Sequence, residues 1–376
     1  MLIDKVLNYK EEYRDEIEKM KSLDLPVILF GAGKTRDFNL QFMRSLGINP
    51  VAFCDNSVDK QGQTVDNIEI LSFQQTRERY PRAYYYITTQ MYYEEIRQQL
   101  IDAGCADKQI SEYDIIFQLQ WEENCMEYYK QNADKIEWLY SELADAQSRE
   151  VLFNRLLFLR TRNRKYMLNI RNKTQYFEKD LINYKKIGCY VDLGMYTGDT
   201  ISEFIDESER CYQSIYGFEP DEEIYKTAMN NLKQERGIKF VPLATADYDG
   251  VANVENSLGV MQTIARGIFA PEESENNTFH VCKLDTYFKD ISDKIDFIKM
   301  DIEGAEYATL KGASDRIASD RPALAVCVYH KQEDIYEIPM LCKELVDNYQ
   351  IYLRHYSDNQ TETVCYFITK EEENER

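Results

Sequence analysis

The chain lacks most of the features that would place it in a special class. Its nine cysteines are never closer than fifteen residues, and no CxxC or CxxC/HxxxH arrangement occurs. That argues against a disulfide framework and a structural zinc site. An odd count without a framework reads as reduced thiols in a cytoplasmic protein, with Cys54, Cys189 and Cys327 expected inside strands. No charge-free run exceeds eleven residues (Ala83 to Tyr93), which excludes a membrane-spanning helix. The charged start MLIDKVLNYKEEYRDEIEKMKS has no apolar signal-peptide core. Basic residues are scarce: 45 against 66 acids, a net charge of −21. A general grip on nucleic acid or anionic membrane needs the opposite balance. What is present is a normal globular composition, 44% hydrophobic and 30% charged, over 376 residues. At about 150 residues per domain this suggests two domains with some length left over.

The pattern divides accordingly. PVILFGAGK (26–34) is an apolar strand entering a glycine turn, PVAFCDN (50–56) and AYYYITTQ (83–90) read as further strands, and helical stretches lie between them. ILSF (70–73) is expected to open a helix. Strands alternating with helices of ten to fifteen residues indicate a doubly wound parallel sheet. Residues 115 to about 150 carry helical spacing and no strand signal, and 115–186 form an expected helical connector between domains at 1–114 and 187–370, with a frayed tail at 371–376. Within the connector, Arg149 to Lys173 holds eight basic residues against the single acid Glu150. They either pair with acidic neighbours or form a positive rim for a phosphate-bearing substrate. From Gly188 the alternation resumes as CYVDLGMYTGDT, SIYGFEP, IKFVPLA, DFIKMDIEG and PALAVCVYH, after a polar insertion at 247–277. IYLRHYS and TVCYFITK, joined by SDNQTE, form an expected antiparallel hairpin. The fold class is therefore α/β: two Rossmann-like doubly wound domains, the second a seven-stranded sheet with an antiparallel strand.

Asp192-Leu-Gly194-Met-Tyr196-Thr197-Gly198 follows a buried strand and opens a helix. Glycines there let backbone approach a ligand closely. Twenty-one residues after Gly198, Glu219 ends the next strand, where a carboxylate can accept both hydroxyls of a ribose. An acid inside the turn separates two cofactor classes. Asp192 would repel a pyrophosphate, whereas S-adenosylmethionine has no phosphate and carries an ammonium and a sulfonium. The adenine is expected near Ala246 and Asp247 after the third strand. Lys283 and Asp285, just before the fourth strand, are weaker candidates for this cofactor site, and Tyr176 and Phe177 are either a cofactor cover or core.

The strings VDLGMYTGDT, YGFEPD, KLDTYF and above all IKMDIEGAE (298–306) resemble the FkbM-type S-adenosylmethionine-dependent methyltransferases. QYF (175–177), YHKQEDIYEIP (329–339), LRHYS and ETVCY are similar to one branch of that family, so the resemblance runs from about Arg149 to Thr369. Many members have alanine and asparagine after the first glycine, where this chain has Met195 and Tyr196. The resemblance implies O-methylation, often of sugar hydroxyls on glycans or of natural products, and leaves the acceptor open.

Methyl transfer to an alcohol needs an aligned acceptor and a proton acceptor. Asp301 ends one strand and His330 the expected neighbour, about 5 Å away. His330 is the expected general base, with Asp301 orienting it or binding substrate. Glu303 is either a helix cap or a ligand of substrate hydroxyls, and Glu306 a cap. Asp301, Glu303 and His330 also have the ligand chemistry of a magnesium or manganese site. Arg354 and His355 are expected to close the acceptor pocket. Lys299 points away from Asp301 by strand alternation and is left out of the site. In the first domain, Gly31-Ala-Gly33 with Asp55 twenty-two residues on is half a dinucleotide fingerprint, with Arg36 at the third glycine position. It resembles small domains beside sugar-modifying transferases. A held nucleotide sugar, a redundant NAD-type site and a structural or dimerising module all fit; no YxxxK dyad supports an oxidoreductase. For the whole chain the competing class is a non-enzymatic binder that recruits a partner, and transfer to nitrogen or carbon stays open.

Overall fold

A computed structural model describes residues 1–89, 92–116, 125–253 and 278–369. The tail at 371–376, most of the polar insertion and the middle of IIFQLQWEENC lie outside them. The chain forms two compact units. One comprises Met1–Asn132, Phe153–Asn169 and Asp358–Gln360; the other comprises Ala133–Leu152, Ile170–Ser357 and Thr361–Arg376.

The first unit holds strands β1 (Val27–Phe30), β2 (Ala52–Cys54), β3 (Thr64–Val65), β4 (Ile68–Leu71) and β5 (Tyr84–Ile87), in the order β3-β4-β2-β1-β5. All pairs but β3/β4 are parallel. Side chains alternate across a strand. Val27 and Leu29 accordingly join one core cluster with Leu40 and Met43, while Ile28 and Phe30 join another with Ile96 and Leu100. Both faces are covered, which is why β1 reads as an unbroken apolar run. The expected helix at ILSF starts later than predicted. Ile70 and Leu71 close β4, and Ser72 caps the helix Phe73–Arg79 through a capping box. The β3–β4 hairpin escaped because two short strands carry too few residues to show a period.

The second unit holds β6 (Cys189–Leu193), β7 (Ser214–Phe218), β8 (Ile238–Val241), β9 (Ala244–Thr245), β10 (Gly250–Asn253), β11 (Thr278–Cys282), β12 (Phe297–Met300), β13 (Ala323–Cys327), β14 (Tyr349–His355) and β15 (Thr363–Thr369). Seven of them form the sheet β14-β15-β13-β12-β6-β7-β8, with β15 antiparallel to both its neighbours. This is the expected sheet with its expected hairpin. The small sheet β10-β11-β9 was not expected, because β10 and β11 border the polar insertion. One face of the large sheet packs Tyr190 against Phe297, ring centroids 5.2 Å apart, and against Phe204 of the helix Asp199–Glu207.

The basic stretch is used on acids and carbonyls. In the first unit the buried Arg164 bridges Asp114 at 3.0 Å and Asp358 at 2.7 Å, Arg160 binds Glu11, and Lys165 meets Glu12 at 3.1 Å. In the second, Arg149 donates to the Leu143 carbonyl. Among the described residues no helix is long and apolar enough to cross a membrane.

Candidate active site

The glycine turn sits where β6, β7 and β12 end together. Gly194 (φ +78°), Tyr196 (φ +47°) and Gly198 (φ +85°) take left-handed conformations that glycine adopts without strain. The N–H groups of Gly194 and Met195 both donate to the Phe218 carbonyl at 3.0 Å, fastening the turn to β7. On the other side a β-carbon on Gly194 would lie 2.0 Å from the Asp301 carbonyl oxygen, so the turn has no room for a side chain there. Tyr196 is exposed, and Thr197 accepts from Asn231 through its carbonyl at 2.9 Å.

Glu219 closes β7 and is nearly buried. Its carboxylate accepts the Asp221 N–H at 2.9 Å and the Tyr196 N–H, joining it to the turn. Burial pushes its pKa up to about 7 against those two hydrogen bonds.

Asp192 does not do what the sequence suggested. It is fully buried, with Lys299 Nζ 3.1 Å from Oδ1 and the Thr200 hydroxyl on Oδ2. Lys299 also donates to the Gly194 carbonyl at 2.8 Å. The carboxylate is held beneath the turn as half of an ion pair, and no bare charge is presented above it. Burial still raises the Asp192 pKa, opposed chiefly by Lys299. Lys299, set aside on strand alternation, is therefore part of the site. Two residues apart, Lys299 and Asp301 share a face and each feels the other's charge, and Lys299 is also the direct cross-strand partner of Asp192 on β6. Thr200→Val should lower stability by about 1–2 kcal/mol, read by urea denaturation, because a buried carboxylate loses a donor.

The second cluster stands at the ends of β12 and β13, which are neighbours as expected. His330 is 6% exposed. Its Nδ1 lies 3.0 Å from Glu306 Oε1, and its Nε2 lies 3.5 Å from Asp301 Oδ1 and 3.6 Å from Glu303 Oε2. Glu306 is fully buried and also accepts the Ile302 N–H at 3.0 Å, so capping and contact with His330 coexist. Asp301 accepts the Tyr176 hydroxyl at 2.7 Å on Oδ2 and the Tyr329 hydroxyl at 3.4 Å on Oδ1. Tyr329 continues to Glu362 at 3.3 Å. Tyr176, whose ring lies 5.2 Å from Lys299 Nζ, thus spans the two clusters from within the core.

Charge in this cluster bears on the role expected of His330. Burial alone would depress the His330 pKa, but Glu306, Asp301 and Glu303 outweigh it and raise it to about 10. A base must be unprotonated near the working pH. The surrounding carboxylates thus favour the protonated imidazole, which weighs against a base role for His330 in the resting protein. Burial works against the Asp301 charge too, but His330 and Lys299 hold its carboxyl below the ordinary range.

Other expected site residues fall elsewhere. Arg354 is buried, donating to Asp145 at 2.7 Å and Ser148 at 3.0 Å, and His355 is buried against Thr363 at 2.9 Å. Strand β15 separates their edge strand from β13, so neither reaches His330. Ala246 and Asp247 follow β9 rather than a strand of the large sheet; Asp247 is exposed and pairs with Lys311 at 3.4 Å. Asp285 accepts the N–H groups of Asp315 and Arg316 and caps a helix, and the Lys283 N–H donates to Asp249. Phe177 is core, against Tyr184 and Phe204. In the first unit Asp55 is nearly buried and fully engaged, accepting the Ala32 N–H at 2.7 Å, the Ser57 N–H at 2.8 Å and Lys60 at 3.0 Å. It ties its own glycine turn shut. A β-carbon on Gly31 would lie 2.7 Å from the Thr88 hydroxyl, whereas Gly33 is open.

Residues 192–357 match the model of the methyltransferase FkbM domain. This segment belongs to the FkbM methyltransferase family. The match begins at Asp192 and ends two residues beyond His355, so the glycine turn, Glu219, Lys299 and the His330 cluster all lie within the FkbM domain. Residues 23–111 match a second model, the C2185-like N-terminal domain. Methyltransferase FkbM from Methylobacillus flagellatus KT is similar in structure, with a TM-score of 0.71 at 19% identity over 98% of this chain and 97% of that one. At that identity the likeness establishes the fold. Fibrillarin of Aeropyrum pernix, solved with bound S-adenosyl-L-methionine, is 13% identical over 50% of this chain and 69% of its own, with a TM-score of 0.31. No curated protein matches the sequence.

Proposed function

We propose that the FkbM domain transfers the methyl group of S-adenosylmethionine to a hydroxyl, on a sugar or glycan precursor. The observation that carries this reading is the placement of two polar clusters at the carboxyl ends of adjacent strands. One is a glycine turn tied to a buried acid. The other is a set of carboxylates around an imidazole. In an open α/β sheet ligands lie beyond those strand ends. Glu219 would accept the ribose hydroxyls, and Gly194 to Gly198 would carry the methionine end close to backbone.

The electrostatic preference for a cationic donor survives the neutralisation of Asp192, from other residues. Glu219, Asp301, Glu303 and Glu306 leave this edge acidic even after His330 is counted, which favours a sulfonium and disfavours a diphosphate. In the transfer the acceptor oxygen attacks the methyl carbon in line with the departing sulfur. Asp301 binds that hydroxyl, and Glu303, the exposed carboxylate of the cluster, receives its proton as the C–O bond forms. His330 acts through them as a positioning residue. In the first unit, the engagement of Asp55 favours a structural module over a second nucleotide site.

Calorimetry with S-adenosylhomocysteine, followed by radiolabelled methyl transfer to candidate sugars and nucleotide sugars, tests this reading. His330→Ala should keep product affinity within a few-fold while turnover falls about a hundredfold or more. Failure to bind the product at millimolar concentration would remove the enzyme reading. Binding with no transfer to any hydroxyl would favour the recruiting module.

A further inference from the structure

We propose that Asp301, Glu303 and His330 form a binding site for one divalent cation, of the manganese or magnesium type, with Glu306 orienting the imidazole. The geometry around Nε2 carries this. At 3.5 and 3.6 Å, Asp301 Oδ1 and Glu303 Oε2 are too far from Nε2 for good hydrogen bonds. Two atoms each bound to one cation at about 2.1 Å, at octahedral or tetrahedral angles, are separated by about 3.0 to 3.4 Å. Each of the two acids thus stands from Nε2 at nearly the spacing of a co-ligand. Nε2 is buried without a hydrogen-bond partner. His330 is more than nine-tenths buried, and its Nε2 faces the two acids.

Outer partners are arranged as metal sites require. A ligating histidine gives its other ring nitrogen to a carboxylate, which fixes the ring and makes it a stronger ligand. Glu306 Oε1, 3.0 Å from Nδ1, occupies that place. The Tyr176 hydroxyl takes Asp301 Oδ2, and Oδ1, which the Tyr329 hydroxyl meets at 3.4 Å, lies on the side of His330. The buried cation nearby, Lys299, is already paired with Asp192, so three carboxylates meet one imidazole with an excess of negative charge. One nitrogen and carboxylate oxygens, with no thiolate, suit manganese or magnesium. The cation would displace the Nε2 proton to solvent. Its use in methyl transfer, gripping the acceptor oxygen, rests on the reading above; its binding does not.

The full-length protein, treated with EDTA and dialysed, is titrated with MnCl2 while free Mn²⁺ is followed by electron paramagnetic resonance. One saturable site per chain is expected. Glu306→Gln should weaken it about 10- to 100-fold, and Asp301→Asn should abolish it. Glu303 is exposed, so Glu303→Gln should weaken binding with an unchanged thermal melt, which covers the case in which Asp301→Asn fails to fold. No saturable binding by the wild type, or binding unmoved by Glu303→Gln and Glu306→Gln, would overturn the proposal. Manganese binding without S-adenosylhomocysteine binding would leave the site standing and remove the methyltransferase reading instead.

Discussion

Lys299→Met is expected to lower stability by about 3–5 kcal/mol, measured by urea denaturation of the full chain. Removing one member of a buried ion pair strands the other charge where water cannot reach it. Asp192 would keep the Thr200 hydroxyl but lose its counter-charge at 3.1 Å, inside a site with no exposed surface. The same substitution frees the Gly194 carbonyl, which Lys299 holds at 2.8 Å, so S-adenosylhomocysteine affinity should fall together with stability. The double variant Lys299→Met, Asp192→Leu removes both charges at similar volume and should recover most of the stability, since well-packed apolar replacements of buried pairs are often close to neutral. Affinity should not recover, because the Gly194 carbonyl stays unheld. A loss below 1 kcal/mol in the single variant would show that the pair does not form.

Glu219→Gln should weaken S-adenosylhomocysteine binding roughly ten- to a hundredfold, the worth of a hydrogen bond to a charged acceptor. The pH dependence gives a sharper signature. Burial raises the Glu219 pKa to about 7 in the free protein, and a ribose accepts no proton from it but donates hydroxyls to its ionised form. Affinity in the wild type should therefore climb as pH rises through about 7 and level off above it, while Glu219→Gln should lose that step. Stability of the free protein runs the other way. For an acid whose folded pKa is raised above its unfolded value of about 4.5, the stabilising contribution is fully present below about 4.5 and is lost as pH rises through about 7. Opposite trends in ligand affinity and free-state stability, both removed by Glu219→Gln, are the expected result. A flat wild-type affinity between pH 6 and 8 would take Glu219 out of the ribose site.

Much of the fold was legible because its signals are local. The apolar runs, the glycines of the turn and the spacing from Gly198 to Glu219 lie within short stretches of chain, and the seven-stranded sheet with its hairpin follows from them. The adjacency of Asp301 and His330 was legible too, since β12 and β13 are successive strands of the large sheet. The site's charge balance was not. Strand alternation puts Lys299 on the same face as Asp301, two residues on, so setting it aside misapplied the period, and alternation says nothing about which residue of another strand stands opposite. That depends on register, and register puts Lys299 beside Asp192. Arg354 and His355 failed as pocket residues for the same reason: β15 enters between their strand and β13.

By itself, then, the sequence determined two doubly wound units, the family strings and the strand ends at which ligands are expected, because turn geometry and side-chain period are written residue by residue. Tertiary structure alone decided which charges meet. It gave Asp192 a buried lysine, set three carboxylates around His330, and closed Asp55 onto its own turn. The ionisation of a buried group depends on the charges within a few ångströms of it, and in this chain those charges come from strands and loops as much as a hundred residues apart.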